Sequence, residues 1–361
     1  MRWAHVTITC GGLGLGLMPV SDAVFAADAS GASKLVVATW GGVYGDAMTA
    51  NLFKPFTSRT GIPVEPKLAG VDVAALATDA ARPHIVDLPA LEEAEACAKG
   101  LLAPIDLKTL PPGPGGVTAA NDFLVQPDAC SVPGTLTSEV VLYDRSKLGA
   151  HTPTQIADLF NTAAFPGKRA LKRDAVGTLE WALLADNVSP ANVYAVLGTP
   201  AGVERAFAKL DTIRGDVIWW SDSAKPVELL GRGDVIMAAV FGPRAAAAVI
   251  GAEHPFDVLW DRTLVSSNRW AVVKGAESVA GAREFLGFAT DTPRLVSVGN
   301  VSPYGPARRS AARQITAERA ALSPATPEHF AQAFVIDATF WNVHAAALRQ
   351  RFETWLAAVQ H

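Results

Sequence analysis

The chain has 361 residues, of which 50% are hydrophobic and 18% charged, with a formal net charge of −4. That length exceeds what one core holds and points to two domains of roughly 150 residues each. The slightly acidic balance, without a basic or aromatic-rich tract, excludes a nucleic-acid-binding footprint.

At the N-terminus, Arg2 and His5 form a short, weakly basic start, and residues 6–20 carry no charge and are mostly apolar or glycine. This is the length of a signal-peptide core and too short for a membrane span. Val24 and Ala26 fit a signal-peptidase site with cleavage after Ala26, so residues 1–26 are expected to be removed on export to the periplasm. The alternative, a buried cytosolic helix, is disfavoured by Gly11, Gly12, Gly14 and Gly16. Cys10 lacks the preceding leucine and small-residue run of a lipoprotein. No later segment is apolar and uncharged for 18 residues.

Residues 34–39 form a mostly apolar, β-branched run that reads as a buried parallel strand, followed by Trp40-Gly41-Gly42 and a helix to about residue 59. Residues 60–64 read as a turn into a second strand, 84–88 as a third, and 92–100 as a helix closed by Gly100 with Lys99 in its last turn. Residues 111–116 are a proline- and glycine-rich loop. The second half repeats the rhythm. Residues 165–171 lead to a helix at 178–184, with strands at 217–220, 235–240 and 269–273 and helices at 224–230 and 279–289. The C-terminus reads as a helix carrying Phe340, Val343, Leu348, Phe352 and Trp355. Strands alternating with helices imply an α/β fold with mostly parallel sheets flanked by helices.

Cys97 and Cys130 survive removal of the leader; in an oxidising compartment such a pair is a disulfide candidate, contributing about 3–4 kcal/mol. Two separate buried thiols are the alternative, and no histidine cluster accompanies them to suggest a metal site. No cofactor is expected. No G-x-S-x-G elbow, H-E-x-x-H, P-loop or post-strand G-x-G-x-x-G is present, and His84, His151, His254 and His344 are scattered, so no catalytic residues are assigned.

The segment LVVATWGGVYGD at residues 35–46, FKPF at 53–56 and TGIPV at 60–64 resemble the opening of periplasmic binding proteins of the spermidine/putrescine-type ABC importers. The resemblance continues in order through GLLAPID at 100–106, FPGKR at 165–169, GDVIM at 233–237, FGPR at 241–244, WAVVKG at 270–275, YGP at 304–306 and the closing Phe340-Trp341 to Trp355-Leu356. It implies a type II periplasmic-binding fold of two α/β lobes, residues 34–143 plus 265–308 and 144–264 plus 309–361, closing by hinge motion on a ligand in the cleft. The implied partners are a small-molecule ligand and an ABC permease of the inner membrane, with a monomeric receptor that does no chemistry. An enzyme on the same fold and a chemosensory receptor are the competing classes; turnover of a bound ligand would establish the first, and a neighbouring permease gene would favour the importer over the second.

Candidate ligand residues lie where strands end. Trp40 and Tyr44 follow the first strand, and Gly41 and Gly42 permit close backbone approach; a turn under a core tryptophan is the bland alternative. Trp219 and Trp220 point to opposite faces, which leaves Trp220 as the cleft candidate. Asp222 reads either as an ammonium partner or as a helix cap. Asp174 matches an amine-binding acid of the polyamine receptors, or belongs to a solvated run with Lys172 and Arg173. Tyr304 is a further cleft candidate through the family match at 304–306.

The departures from the polyamine pattern are informative. The stretch Asp87-Leu88-Pro89-Ala90 lacks the serine and tyrosine of those receptors, Gly177 replaces an acid, and Ser267-Asn268-Arg269-Trp270 puts a cation where they carry an aspartate. Arg269 and Arg244 are candidate clamps for a ligand carboxylate, or members of ion pairs. The expected ligand therefore bears at least one carboxylate: an amino acid, a γ-aminobutyrate-like zwitterion, an opine or an organic acid.

Overall fold

The computed structural model describes residues 34–78, 82–149, 151–276, 279 and 281–358. The expected leader, residues 1–26, lies outside them. Among the described residues no helix is long and apolar enough to cross a membrane.

Ten strands occur in the described residues: β1 Leu35–Ala38, β2 Val64–Lys67, β3 Ile85–Pro89, β4 Ser131–Asp144, β5 Arg169–Lys172, β6 Val217–Trp220, β7 Met237–Phe241, β8 Phe256–Val272, β9 Gly305–Pro306 and β10 Phe334–Val335. They pair in the order β2-β1-β3-β8-β4-β7-β5-β6, with β9 on β4 and β10 on β8. The short strands with β-branched runs pair in parallel, β2-β1-β3 at one end and β7-β5-β6 at the other. Each is followed by a helix on a sheet face, which is the βαβ logic the alternating pattern implies.

The middle is antiparallel and was not legible as strand. β4 and β8 run alongside each other for most of their 14 and 17 residues and join the two parallel groups. Only residues 269–273 of this pair look like strand in sequence. Pro133 and Gly134 interrupt β4, and its register shifts between Pro133 and Thr135 and again between Glu139 and Val141. Gly134 is required there: a Cβ would lie 2.4 Å from Nε1 of the buried Trp270.

The apolar interior divides along these two strands. One cluster gathers Val140, Leu142, Leu171, Trp181, Val240, Leu264 and Phe352. A second gathers Leu35, Phe53, Phe56, Leu136, Val265, Trp270 and Phe285, and a third covers the opposite sheet face through Ala38, Val86, Leu88 and Ala271. β4 passes from one cluster to the other between Leu136 and Val140, and β8 between Leu264 and Val265.

Cys97 and Cys130 form a disulfide with Cα atoms 5.9 Å apart, tying the end of the helix Ala90–Ala98 to the residue before β4. The C-terminal helix, Ala338–Ala357, buries Leu348 and Phe352 of the expected positions together with Trp341 and Leu356, while Phe340 and Trp355 are half-buried and Val343 is 72% exposed on the outer face.

Candidate functional site

A cavity of about 310 Å³ opens where β3, β5 and β7 end and where β4 and β8 cross between the clusters. Pro89, Leu91 and Glu92 line it at the end of β3, Thr137, Ser138 and Glu139 along β4, and Leu264 and Ser266 along β8. Lys172, Asp174, Val176 and Gly177 follow from β5 into its helix, Phe241 comes from β7, and Ile336 and Arg349 come from the C-terminal part of the chain. Carboxyl ends of strands are where open α/β sheets place ligands.

The charges in this cavity are of both signs. Asp174 caps the helix Ala175–Ala185, accepting from the Val176 N–H at 3.2 Å, and receives two bonds from the Arg349 guanidinium at 2.9 and 3.2 Å. Lys172 Nζ lies 3.6 Å from Asp174 and 4.0 Å from Glu139. Burial works to raise the Asp174 pKa, but Arg349 and Lys172 more than reverse it and hold the carboxyl below its ordinary range. At Glu139 burial prevails over the attraction of Lys172, and Asp174 adds repulsion, so that carboxyl is pushed up. Glu139 Oε1 and Thr137 Oγ1 are buried without a hydrogen-bond partner.

The turn from β5 into its helix is held from behind. Gly177 has φ +86°, and its N–H donates to Glu180 Oε2 at 2.8 Å. Glu180 is fully buried, and its Oε1 accepts from Trp341 Nε1 at 2.6 Å and from the Tyr194 hydroxyl at 3.1 Å. The Tyr194 oxygen in turn accepts the Asp337 N–H at 2.8 Å. Gly177→Ala is expected to destabilise by about 1–3 kcal/mol, because an L side chain resists this φ and its Cβ would lie 2.7 Å from Leu264 Cδ1. Urea denaturation checks this; an unchanged midpoint would mean the turn relaxes at no cost.

Asp174 is the sequence-predicted residue that lines this cavity. The others lie elsewhere. Tyr44 is 4% exposed; its hydroxyl donates to Asp87 at 2.7 Å and lies 3.2 Å from Thr135 Oγ1. Tyr304 packs on Tyr44 with centroids 4.5 Å apart and approaches Phe241 of the cavity wall at 6.3 Å. This aromatic run therefore borders the cavity without lining it. Trp40 is 40% exposed and covers Gly70, while Gly41 lies against the Leu68 carbonyl and Gly42 opens the helix Gly42–Met48.

Four further candidates do not line this cavity. Trp220 is 5% exposed within the apolar core, because both faces of β6 are covered: Trp219 packs on Phe352 and Trp355 of the last helix. Asp222 is exposed and caps a helix start, accepting from the Ala224 N–H at 2.9 Å. Arg244 is exposed and donates to Ser223 Oγ at 2.9 Å. Arg269 is 4% exposed and fully engaged. Its Nε donates to Ser131 Oγ at 2.6 Å and lies 3.3 Å from Glu93, and its Nη2 donates to Asp128 at 2.8 Å and to the Gln126 carbonyl at 3.2 Å. Its donors are thus committed to the buried Glu93, the exposed Asp128 and their neighbours.

In the sequence Asp87 stands out only as part of a departure from the polyamine pattern. It is fully buried, accepts from Thr39 at 2.8 Å and from Tyr44, and has Oδ1 unpartnered. Burial, partly offset by those two bonds, pushes its pKa up to about 7. Glu139, Lys172 and Arg349 also escaped assignment. Glu139 carried a signal, since it is the one acid within the apolar and hydroxyl run of β4 before Asp144.

The sequence pattern of the bacterial extracellular solute-binding proteins matches residues 51–327. A γ-aminobutyric acid-binding protein of Pseudomonas aeruginosa is 34% identical over 346 residues, covering 92% of this chain and 94% of that protein. The solved structure of the Atu4243 GABA receptor aligns with a TM-score of 0.75 at 26% identity, over 90% of this chain and 97% of that one. The binding protein MotA of Agrobacterium tumefaciens B6, solved in complex with glucopine, aligns with a TM-score of 0.72 at 25% identity, over 90% of this chain and 99% of that one.

Proposed function

The chain belongs to the bacterial extracellular solute-binding protein family, and from that premise we propose that it captures a small zwitterion of the γ-aminobutyrate kind. It is the substrate-binding component of an ABC importer, with a type II periplasmic-binding fold, and it is not an enzyme. It hands a small molecule to a membrane permease. In our reading it works in the periplasm as a monomer after loss of residues 1–26. Two lobes, residues 34–143 plus 265–308 and 144–264 plus 309–361, close over the ligand about the β4–β8 crossing.

The observation that carries the ligand assignment is the mixed charge of the cavity. Glu92, Glu139 and Asp174 line it together with Lys172 and Arg349, and its volume of about 310 Å³ is at the small end of the range for ligand pockets. A diamine would meet two cations there, and a simple diacid three carboxylates. The relatives that bind γ-aminobutyrate and an opine support the same class.

Calorimetry and thermal melts with γ-aminobutyrate, glucopine, putrescine and succinate test the assignment. A ligand at a hundred times its dissociation constant stabilises by about 2.7 kcal/mol. We expect that stabilisation with γ-aminobutyrate and flat melts with putrescine. Tight putrescine binding with no response to either zwitterion would sink the reading.

A further inference from the structure

We infer that the cavity fixes which end of its ligand goes where: the ammonium end on Thr137 and Glu139 of β4, and the carboxylate end on Lys172. This rests on the zwitterion reading above. Thr137 and Glu139 are two apart on a strand and so share a face. Thr137 Oγ1 and Glu139 Oε1 are both buried and both lack a donor. Such atoms are costly to leave unmatched, and an ammonium group brings three donors and no acceptor. Asp174, the other carboxylate beside Lys172, does not compete. Asp174 already accepts from the Val176 N–H and twice from Arg349.

Lys172 is the complementary group. Its Nζ lies 4.0 Å from Glu139 and 3.6 Å from Asp174, beyond hydrogen-bond length from both. Its side chain keeps 34% exposure. The cation is held near the cavity by charge alone, with its donors left for a carboxylate. Arg349 is the less suitable clamp, since Nε and Nη2 are spent on Asp174. A ligand carrying one ammonium and one carboxylate thus completes Glu139 and Lys172 together. A diammonium ligand would satisfy Glu139 and press its second charge on Lys172.

The test is calorimetry with γ-aminobutyrate and putrescine on the wild-type protein, Glu139→Gln and Lys172→Gln, with thermal melts to establish folding. Glu139→Gln should weaken γ-aminobutyrate binding about tenfold to a hundredfold, the size of a charge-assisted hydrogen bond. Lys172→Gln should weaken γ-aminobutyrate and strengthen putrescine, raising the putrescine-to-γ-aminobutyrate affinity ratio by about tenfold or more. General damage to the cavity would lower both affinities and leave that ratio in place. Wild-type binding of γ-aminobutyrate with an unmoved ratio in Lys172→Gln, or with unchanged affinity in Glu139→Gln, overturns the polarity alone. Wild-type protein that binds no zwitterion overturns the polarity together with the function it rests on.

Discussion

Asp87→Asn will remove a stability term that weakens the wild-type protein as pH rises from about 4 to 7. Burial lifts the Asp87 carboxyl from 3.8 to about 7 in the folded protein. Between those values the unfolded chain gives up a proton that the folded chain keeps. Raising the pH through this window therefore favours unfolding, and the loss levels off above 7. At 1.36 kcal/mol per pH unit the full term is on the order of 4 kcal/mol. Asparagine keeps an oxygen for the Thr39 and Tyr44 hydroxyls but cannot ionise. The variant should thus gain on the wild type between pH 5 and pH 8 in urea melts. Burial also raises Glu93 and Glu180 to about 7, so both proteins retain a downward slope from those residues. Parallel stability curves for variant and wild type across this range would refute the assignment of the term to Asp87.

The double substitution Cys97→Ser with Cys130→Ser should cost about 3–4 kcal/mol. The crosslink closes a segment of 33 residues, and in the chain-entropy account it restricts the unfolded chain more than the folded one. Its position adds a local effect. The helix it anchors starts at Ala90, between cavity residues Pro89 and Leu91, and β4 past Cys130 supplies Thr137 and Glu139. Melting with and without a thiol reductant measures the effect without mutation, and the reductant should do nothing to the double variant. A melting point that falls by no more than a degree or two would show that the crosslink restrains little.

Much of the architecture could be read from the chain because short buried strands declare themselves by composition. Residues 34–39, 217–220 and 235–240 are β-branched or aromatic runs, and each lies over or beside a parallel strand. β4 could not be read this way. Its proline, glycine and hydroxyl residues lower local strand preference, and its stability comes from pairing with β7 and β8, more than 90 residues away. The site was legible in the same uneven way. Lys172 and Asp174 stand in one short charge run, and strand alternation separates them from Arg173, which bonds Glu353 on the outside. Arg349 reaches Asp174 across 175 positions, and Arg269 reaches Asp128 across 141. No spacing rule registers such pairs, which is why the sequence leaves Arg269 between a clamp and an ion pair and gives Arg349 no role.

The wall of the cavity is finished by the end of the chain. Ile336 and Arg349 line it, and Trp341 and Asp337 brace the Gly177 turn through Glu180 and Tyr194. A polypeptide emerging in order from a ribosome or a translocation channel therefore has every parallel strand before it has a competent cavity. On the proposed site, ligand rescue of a slow-folding variant should begin only once Arg349 has emerged. For the same reason a reporter domain is better joined after residue 358 than spliced in place of the final helix, whose removal would take Arg349 and the Trp341 brace with it.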